Sequence, residues 1–195
     1  MDEGYIKYDC NWILSDEITQ KQIEEINAWR NIMKENGLIG MYENGIGFGN
    51  ISNRINKNIF LISGSATGGI DQLNETHYAL VTDYNISNNS LTCKGAVKAS
   101  SESLTHAVVY ECSPETQAII HVHNNHLWKK YIDQVPTTKQ NVAYGTPEMG
   151  REVERLFRET TVAEMRMIVM AGHEDGIIGF GKTLEEAGNV FLNRL

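Results

Sequence analysis

The stretch "QAIIHVH", residues 117–123, has the composition of a buried β-strand and carries two histidines one residue apart. Residues i and i+2 of a strand point to the same face of a sheet, so we expect the imidazoles of His121 and His123 to lie side by side. Two nitrogens placed in this way can bind one cation at about 2.0–2.1 Å. Taken alone, the spacing also fits two ordinary strand histidines.

Strands and helices interleave on both sides of this stretch. Hydrophobic patterns predict strands at 58–64, 77–86, 91–95, 165–172 and 176–181, and helices at 15–37, 100–115, 125–132, 146–160 and 183–195. Ser15 is the expected N-cap of the first helix, and Gly37 is expected to end it. Several links between strands are short, which favours antiparallel pairing. We therefore expect one α/β domain over residues 1–195, with helices packed on a mixed or mostly antiparallel sheet.

Composition narrows the classes of partner. The formal net charge is −8, which argues against nucleic acid or an anionic membrane as the main partner, because both require a basic face. A small anionic substrate remains compatible, since backbone N–H groups and hydroxyls can bind a phosphate. The sequence has no apolar run long enough to span a membrane and does not open like a signal peptide. Three widely spaced cysteines favour free thiols and a cytoplasmic location.

A third histidine strengthens the metal hypothesis. His173 lies in "VMAGHEDGIIGFG" (169–181), between two predicted strands, where a loop side chain can turn towards a neighbouring strand. Three imidazoles with one open coordination position are typical of catalytic zinc sites rather than structural ones. Asp175 could orient His173 through a hydrogen bond or could cap the turn.

Other candidates have equally ordinary alternatives. Glu102 opens a predicted helix, where a carboxylate also stabilises the helix dipole. Ser100 and Ser101 precede it and could be N-caps. The stretches "NGIGFGNIS" (44–52) and "SGSATGG" (63–69) could be turns, or could offer N–H groups to an anion with the help of Ser65, Thr67 and Asn50.

Five motifs in order, "GNIS", "LISGSATGG", "SSES" with its following histidine, "AIIHVH" and "GHEDGII", resemble the class II aldolase/adducin family. The resemblance extends from about residue 12 to residue 195. It implies a three-layer α/β/α fold around a largely antiparallel sheet and a homotetramer with active sites between subunits. It also implies Zn²⁺, or another divalent cation, held by His121, His123 and His173. The phosphate of a sugar substrate would be bound by residues that match the family's binding motif: Gly49, Asn50, Ser65, Ser100 and Ser101.

The resemblance implies a chemistry as well. Glu102 matches the acid/base carboxylate of the aldolases, which cleave a ketose 1-phosphate to dihydroxyacetone phosphate and an aldehyde. The expected tyrosine proton donor is missing, since its position falls near Asn141. Tyr144 could replace it or could pack in the core. An epimerase, dehydratase or decarboxylase of the same family therefore remains an alternative, as does an adducin-like protein without catalysis.

Overall fold

The computed structural model describes residues 4–195 and is built around an eight-stranded sheet. Its strand order is β1-β7-β6-β5-β4-β8-β10-β9. Only β1 pairs in parallel, with β7, and the other neighbours are antiparallel. A separate two-stranded ribbon is formed by β2 and β3. The strands are β1 Asp9–Leu14, β2 Gly40–Met41, β3 Gly47–Phe48, β4 Asn50–Asn56, β5 Ile59–Ser63, β6 Tyr78–Asn85, β7 Ser90–Gly95, β8 Ala118–His123, β9 Met167–Val169 and β10 Gly176–Gly181.

Helices cover both faces of the sheet, which confirms the predicted three-layer α/β/α fold. One hydrophobic cluster packs α2 and α4 on the sheet, and the other packs α1 and α6 on the opposite face. The helices are α1 Gln20–Glu35, α2 Ser103–Cys112, α3 Asn125–Tyr131, α4 Pro147–Glu159, α5 Val162–Met165 and α6 Leu184–Leu192. Among the described residues, no helix is both long and apolar enough to cross a bilayer.

The strand β8 shows how the two clusters divide the sheet. Ile119 belongs to the cluster on the α2/α4 side, whereas Ile120 and Val122 belong to the cluster on the other side. Alternation along the strand therefore directs His121 and His123 to the α2/α4 face. This is the face on which the candidate site lies.

The first helix begins later than the sequence predicted. Its N-cap is Thr19, whose backbone N–H and hydroxyl both donate to the Gln22 side chain. Ser15 instead accepts a hydrogen bond from the Glu17 N–H in the preceding turn. The capping box at Thr19 satisfies helix N–H groups that Ser15 is too early to reach. The end at Gly37 is as predicted, with a φ of +68° just after the Asn36 C-cap.

Two strands of the main sheet were not predicted. The edge strand β1 was missed because it is mostly exposed and shows no clear alternation. The central strand β4 reads "NISNRIN", in which polar residues occupy buried positions such as Asn50 and Ser52. Their hydrogen bonds to buried groups around the candidate site replace the apolar packing that sequence patterns detect.

Candidate metal site and adjoining polar pocket

The three predicted histidines converge in the structure. His121 and His123 project from β8, and His173 approaches from the loop between β9 and β10. One ring nitrogen from each lies within 4.8 Å of those of the other two. The ring centroids are 4.7–5.1 Å apart. All three side chains are buried, so the cluster is a preformed group of nitrogen donors.

Burial controls the protonation of this cluster. Loss of hydration lowers the pKa of His121 well below its usual value, and the neighbouring rings lower it further. The pKa of His123 is lowered in the same way, first by burial and then by His173. Both rings are therefore neutral at neutral pH, which leaves a lone pair on each for a metal ion.

Asn50 is positioned to orient His121. Its side-chain amide lies 3.4 Å from His121 Nδ1, while Asn50 Oδ1 and His121 Nε2 are both buried without a hydrogen-bond partner among residues 4–195. If the Asn50 amide is turned so that its oxygen faces the ring, Oδ1 accepts a hydrogen bond from His121 Nδ1–H. Nε2 then carries the lone pair and faces the cluster. The turned amide gives Asn50 Oδ1 a partner, and a metal ion would give one to His121 Nε2.

A tyrosine outside the predicted set holds His123. The Tyr42 hydroxyl lies 2.7 Å from His123 Nδ1, and the ring of Phe48 packs 5.6 Å from the same imidazole. This contact leaves Nε2 as the nitrogen of His123 that can bind a metal. Sequence reasoning missed Tyr42 because nothing in the β2–β3 ribbon indicates a contact 81 positions away in the chain.

Glycine makes room for two of the rings. A methyl group placed on Gly176 would lie 3.1 Å from His173 Cγ and 3.2 Å from His121 Nε2. Gly176 begins β10 and pairs with His123 on β8. The glycine of "GHEDGII" is therefore needed for the approach of the rings as well as for the turn.

Glu102 borders the cluster. Its side chain is 1% exposed, and Oε1 lies 3.5 Å from His173 Nδ1. Glu102 occupies the N-cap position of α2, one residue before the helix proper. The carboxylate therefore reaches the histidine cluster from a helix terminus and not from a strand of the sheet.

Of the two roles considered for Asp175, its hydrogen bonds support the one in the turn. Its Oδ1 accepts a hydrogen bond from the Asn125 amide at 2.7 Å, and its carbonyl oxygen accepts one from the Asn124 N–H. Its φ of +66° lies in the left-handed region, which aspartate tolerates in turns.

Tyr144 lies at the cluster and not in a remote part of the core. Its ring stacks on His173, with centroids 4.4 Å apart and planes inclined by 23°. Asn141, which occupies the expected donor position, is exposed. The structure therefore brings Tyr144, rather than Asn141, next to the imidazoles.

The five predicted anion-binding residues line one small polar pocket. Four segments contribute to its lining: Gly4 near the N-terminus, β3 and its turn into β4, the loop after β5 and the residues before α2. The pocket is lined by Gly4, Gly47, Gly49, Asn50, Gly64, Ser65, Ala66, Thr67, Gly68, Ser100 and Ser101.

Local geometry makes this pocket suitable for an anion. Ala66 has a φ of +61°, a left-handed conformation that turns successive N–H groups into a concavity. Ser100 and Ser101 lie just before α2, whose dipole favours negative charge at its N-terminus. The Thr67 hydroxyl donates to the Gly64 carbonyl and so fixes the loop rather than pointing into the pocket.

Close backbone packing explains some of the glycines. A methyl group on Gly68 would lie 2.5 Å from the Gly40 carbonyl oxygen and 2.6 Å from that of Phe48. The backbone of the loop after β5 is therefore packed directly against the backbone of the β2–β3 ribbon. This contact joins the two glycine-rich stretches that sequence analysis had identified separately.

His106 follows Glu102 by four residues. It is fully buried on α2, and its Nδ1 lies 2.7 Å from the Ser52 hydroxyl, which also contacts the Tyr110 hydroxyl. Burial lowers the pKa of His106 to about 3. The contact between His106 and Ser52 links α2 to β4, the strand that also carries Asn50.

A mixed sheet lies between two helix layers, and a buried three-histidine cluster that could hold a metal ion lies beside a polar pocket, which together define an α/β protein with a candidate metal site. The chain belongs to the class II aldolase/adducin family, since the family model "Class II Aldolase and Adducin N-terminal domain" matches residues 39–193. The family includes aldolases, epimerases and decarboxylases, and its aldolases depend on a metal ion.

Solved structures support the fold. An L-fuculose 1-phosphate aldolase is 21% identical, with a TM-score of 0.62 over 90% of this chain and 80% of that one. YgbL from Klebsiella pneumoniae, for which aldolase, epimerase and decarboxylase activities have been suggested, is 18% identical, with a TM-score of 0.61 over 90% and 86% of the two chains. YgbL from Escherichia coli gives 16% identity and a TM-score of 0.63 over 89% and 84%. A search of the curated proteins gave no match.

Proposed function

We propose that this protein is a Zn²⁺-dependent sugar-phosphate aldolase, which cleaves a ketose 1-phosphate to dihydroxyacetone phosphate and an aldehyde. The observation that carries the proposal is the convergence of three buried imidazoles and the Glu102 carboxylate beside a polar pocket. Each part supplies one requirement of the reaction: a site for a cation, a group that moves a proton and a place for the phosphate.

The cation would be held by His121, His123 and His173. Neutral imidazoles suit Zn²⁺, and three protein ligands leave a position open for substrate. When bound, the ion would act as a Lewis acid that offsets the negative charge left on the three-carbon fragment after the C–C bond breaks.

Glu102 would exchange a proton with the substrate carbon at which that bond breaks. During cleavage it returns a proton to this carbon, and in the condensing direction it removes one. Its carboxylate is held beside His173 at the start of α2, so little motion is needed for the transfer.

The polar pocket would hold the substrate phosphate. Gly49, Asn50, Ser65, Ser100 and Ser101 all line it. Fixing the phosphate at the N-terminus of α2 would orient the carbonyl end of the sugar towards Glu102 and the imidazoles, which converts binding energy into alignment.

The test is a panel of ketose 1-phosphates assayed with the zinc-loaded protein, with dihydroxyacetone phosphate followed by a coupled dehydrogenase. At least one should be cleaved. Glu102→Gln should lose about 10²–10⁴-fold in kcat while keeping its zinc, because the amide cannot transfer the proton. His126→Gln, at an exposed position on α3, should keep full activity.

Release of an isomerised, dehydrated or decarboxylated product, detected by nuclear magnetic resonance, would contradict the aldolase proposal. It would favour an epimerase, dehydratase or decarboxylase. These activities remain alternatives because the expected tyrosine donor position is occupied by Asn141, which is exposed. Absence of any turnover together with absence of zinc uptake would favour an adducin-like protein without catalysis. The buried histidine cluster argues against that third possibility, because burial of three polar imidazoles costs free energy that a bound metal ion would offset.

We also propose a homotetramer and a cytoplasmic location. Trp12, Ile13 and Leu14 on the edge strand β1 are exposed, and a second copy could cover them. Light scattering should give four times the chain mass, and a monomer would contradict the proposal of a tetramer.

The cytoplasmic location is supported by the cysteines. All three are free thiols, which is typical of proteins in a reducing compartment.

A further inference from the structure

A buried arginine on α1 contacts the loop that lines the polar pocket. Arg30 is 1% exposed, and its helix packs in the hydrophobic cluster on the sheet face opposite to the histidines. Its guanidinium is hydrogen-bonded to the segment 67–71, which follows β5. Thr67 and Gly68 of this segment line the pocket, whereas Arg30 does not. The arginine therefore contacts the pocket wall from outside the pocket.

Backbone carbonyl oxygens surround the guanidinium. The two terminal nitrogens of Arg30 donate at 2.5–3.2 Å to four carbonyl oxygens of the segment, which belong to Thr67, Gly68, Ile70 and Asp71. The negative ends of peptide dipoles thus face the buried positive charge, which compensates for its loss of hydration. So many bonds to one short segment fix the path of its backbone.

Lys34, one helical turn further along α1, holds the outer part of the same segment. Its Nζ donates to the carbonyl oxygens of Gly69 and Ile70 at 2.9 and 3.1 Å, and it pairs with Asp71 Oδ1 at 2.7 Å. Residues i and i+4 share one face of a helix. One face of α1 therefore presents two cations to the carbonyl side of the segment.

The N–H side of the segment faces the other way. In a trans peptide the C=O and N–H bonds point in opposite directions, and no described peptide bond is cis. The N–H of Gly68 therefore points away from the guanidinium that holds the Thr67 carbonyl. Thr67 and Gly68 are buried, yet neither N–H group donates to a backbone carbonyl among residues 4–195. Buried N–H groups are rarely left without an acceptor, so these two are suited to an anion in the pocket.

The buried charge also supplies what the pocket itself lacks. No lysine or arginine side chain is among the described residues that line it, and the chain carries a net charge of −8. Hydrogen-bonded groups polarise one another in a buried environment, so a cation on the carbonyl side of a peptide strengthens the N–H on its other side. Arg30 therefore favours an anion at the pocket without contacting it.

We propose that Arg30 is a positioning residue of this pocket: its guanidinium holds the carbonyl side of the segment 67–71, so that the N–H side binds the phosphate of the substrate. The inference rests on the proposed function, which places a phosphate in the pocket. The alternative is that Arg30 stabilises the fold and has no effect on the binding of anions.

Arg54 provides a matched control for that alternative. It is partly buried and donates to the carbonyl oxygens of Tyr110 and Pro114. It therefore also holds the backbone of another segment, but neither of these residues lines the pocket. Arg30→Gln and Arg54→Gln remove the same chemical group from two different sets of carbonyl oxygens.

The experiment measures the binding of inorganic phosphate to the full-length protein by calorimetric titration at pH 7. It is done with zinc bound and again without zinc, because phosphate can also coordinate the ion. Arg30→Gln should weaken binding by about ten-fold or more in both forms, since the N–H donors are no longer held in place. Arg30→Lys should retain part of the affinity. Arg54→Gln should bind like the wild type, although urea denaturation should show that both glutamine variants are less stable.

Lys34→Met is the second variant, because the loss of a buried arginine could prevent folding. The Lys34 side chain is partly exposed, so circular dichroism should be unchanged. Its removal should weaken phosphate binding by a few-fold, because it releases only the outer part of the segment. With a phosphorylated substrate, Arg30→Gln should raise KM more than it lowers kcat, whereas a role in stability alone would change neither.

The contrary results are distinguishable. The role of Arg30 is overturned, and the proposed function stands, if the wild type binds phosphate and Arg30→Gln binds it equally well. The same follows if Arg30→Gln and Arg54→Gln lose equal affinity, or if Arg30→Gln does not fold and Lys34→Met binds like the wild type. If phosphate binding depends on Arg30 but no ketose 1-phosphate is cleaved, the inference stands and the proposed function fails. A wild type that binds no phosphate in either form would overturn both the pocket and the role of Arg30.

Discussion

At the scale of single residues, the site depends on which nitrogen of each imidazole carries a proton. Asn50 and Tyr42 each contact Nδ1 of a histidine on β8, so in both rings the other nitrogen is left for the ion. Such contacts orient the ring and fix its tautomer before the metal arrives. The sequence predicted the three histidines from their spacing, but Tyr42 could not be found because its contact depends on how the β2–β3 ribbon folds over β8.

Asn50→Ala should weaken the binding of Zn²⁺ by about 10–100-fold, because it removes the acceptor for His121 Nδ1–H. Competition with a chelator of known affinity measures the effect. Asn56→Ala, at the exposed far end of the same strand, is the matched control and should bind like the wild type. Equal affinities in all three proteins would show that Asn50 does not orient the ring.

His106 should make the stability of the metal-free protein depend on pH. Burial lowers its pKa from 6.5 to about 3, so the unfolded chain binds the proton more readily between these values. Its stabilising contribution is complete above pH 6.5 and is lost as the pH falls towards 3, at up to about 1.4 kcal/mol per pH unit. His121 and His123 act in the same direction.

His106→Asn should therefore reduce the slope of unfolding free energy against pH between 6.5 and 4, measured by urea denaturation. The exposed His126→Asn serves as the reference and should leave the slope unchanged. If His106→Asn and the wild type show the same slope, His106 is not held neutral in the folded protein.

At the scale of elements, strands and helices with regular apolar patterns were predicted well, and those built from polar residues were not. The strand β8 and the helix α4 follow their hydrophobic spacing and capping residues closely. The strand β4 carries Asn50 and Ser52 inward, where hydrogen bonds to His121 and His106 replace apolar contacts. Patterns of hydrophobicity cannot identify such a strand, because its partners come from other elements.

The turn that leads into β4 provides an element-scale prediction. Gly49 has a φ of +77°, and a methyl group there would lie 2.7 Å from Ile39 Cγ1 and 3.1 Å from the His121 carbonyl oxygen. Gly45, in the preceding turn, has a φ of +82° with nothing within 4 Å of the same position. Alanine substitutions at Gly45 and Gly49 therefore separate the cost of the left-handed backbone from the cost of a steric clash.

Gly45→Ala should cost about 1 kcal/mol of unfolding free energy, which is the penalty for a left-handed conformation alone. Gly49→Ala should cost clearly more, about 2–4 kcal/mol, because strain and overpacking combine. Both are measured by urea denaturation of the metal-free protein. Equal losses would contradict the close approach of Ile39 to this turn.

At the scale of the whole molecule, the two faces of one sheet contribute residues to the two hydrophobic clusters. We infer from this that the chain folds as one domain. The site gathers residues from β4, β8, the β9–β10 loop and the start of α2. The predicted order of strands and helices, with the five motifs, was sufficient to identify the fold class and the three histidines that converge. The place of Gly4 in the pocket lining was not predictable, because the segment before β1 is positioned by the parallel pairing of β1 with β7, in which Asp9 pairs with Ser90.

The central claim is that His121, His123 and His173 together hold one divalent ion. Its most direct test is the zinc content of the purified protein after saturation and removal of excess metal, measured by atomic emission. We predict one Zn²⁺ per chain for the wild type and for the exposed control His126→Ala, and none for His123→Ala, with unchanged circular dichroism in all three. Stoichiometric zinc retained by His123→Ala, or a wild type that takes up none, would contradict the account.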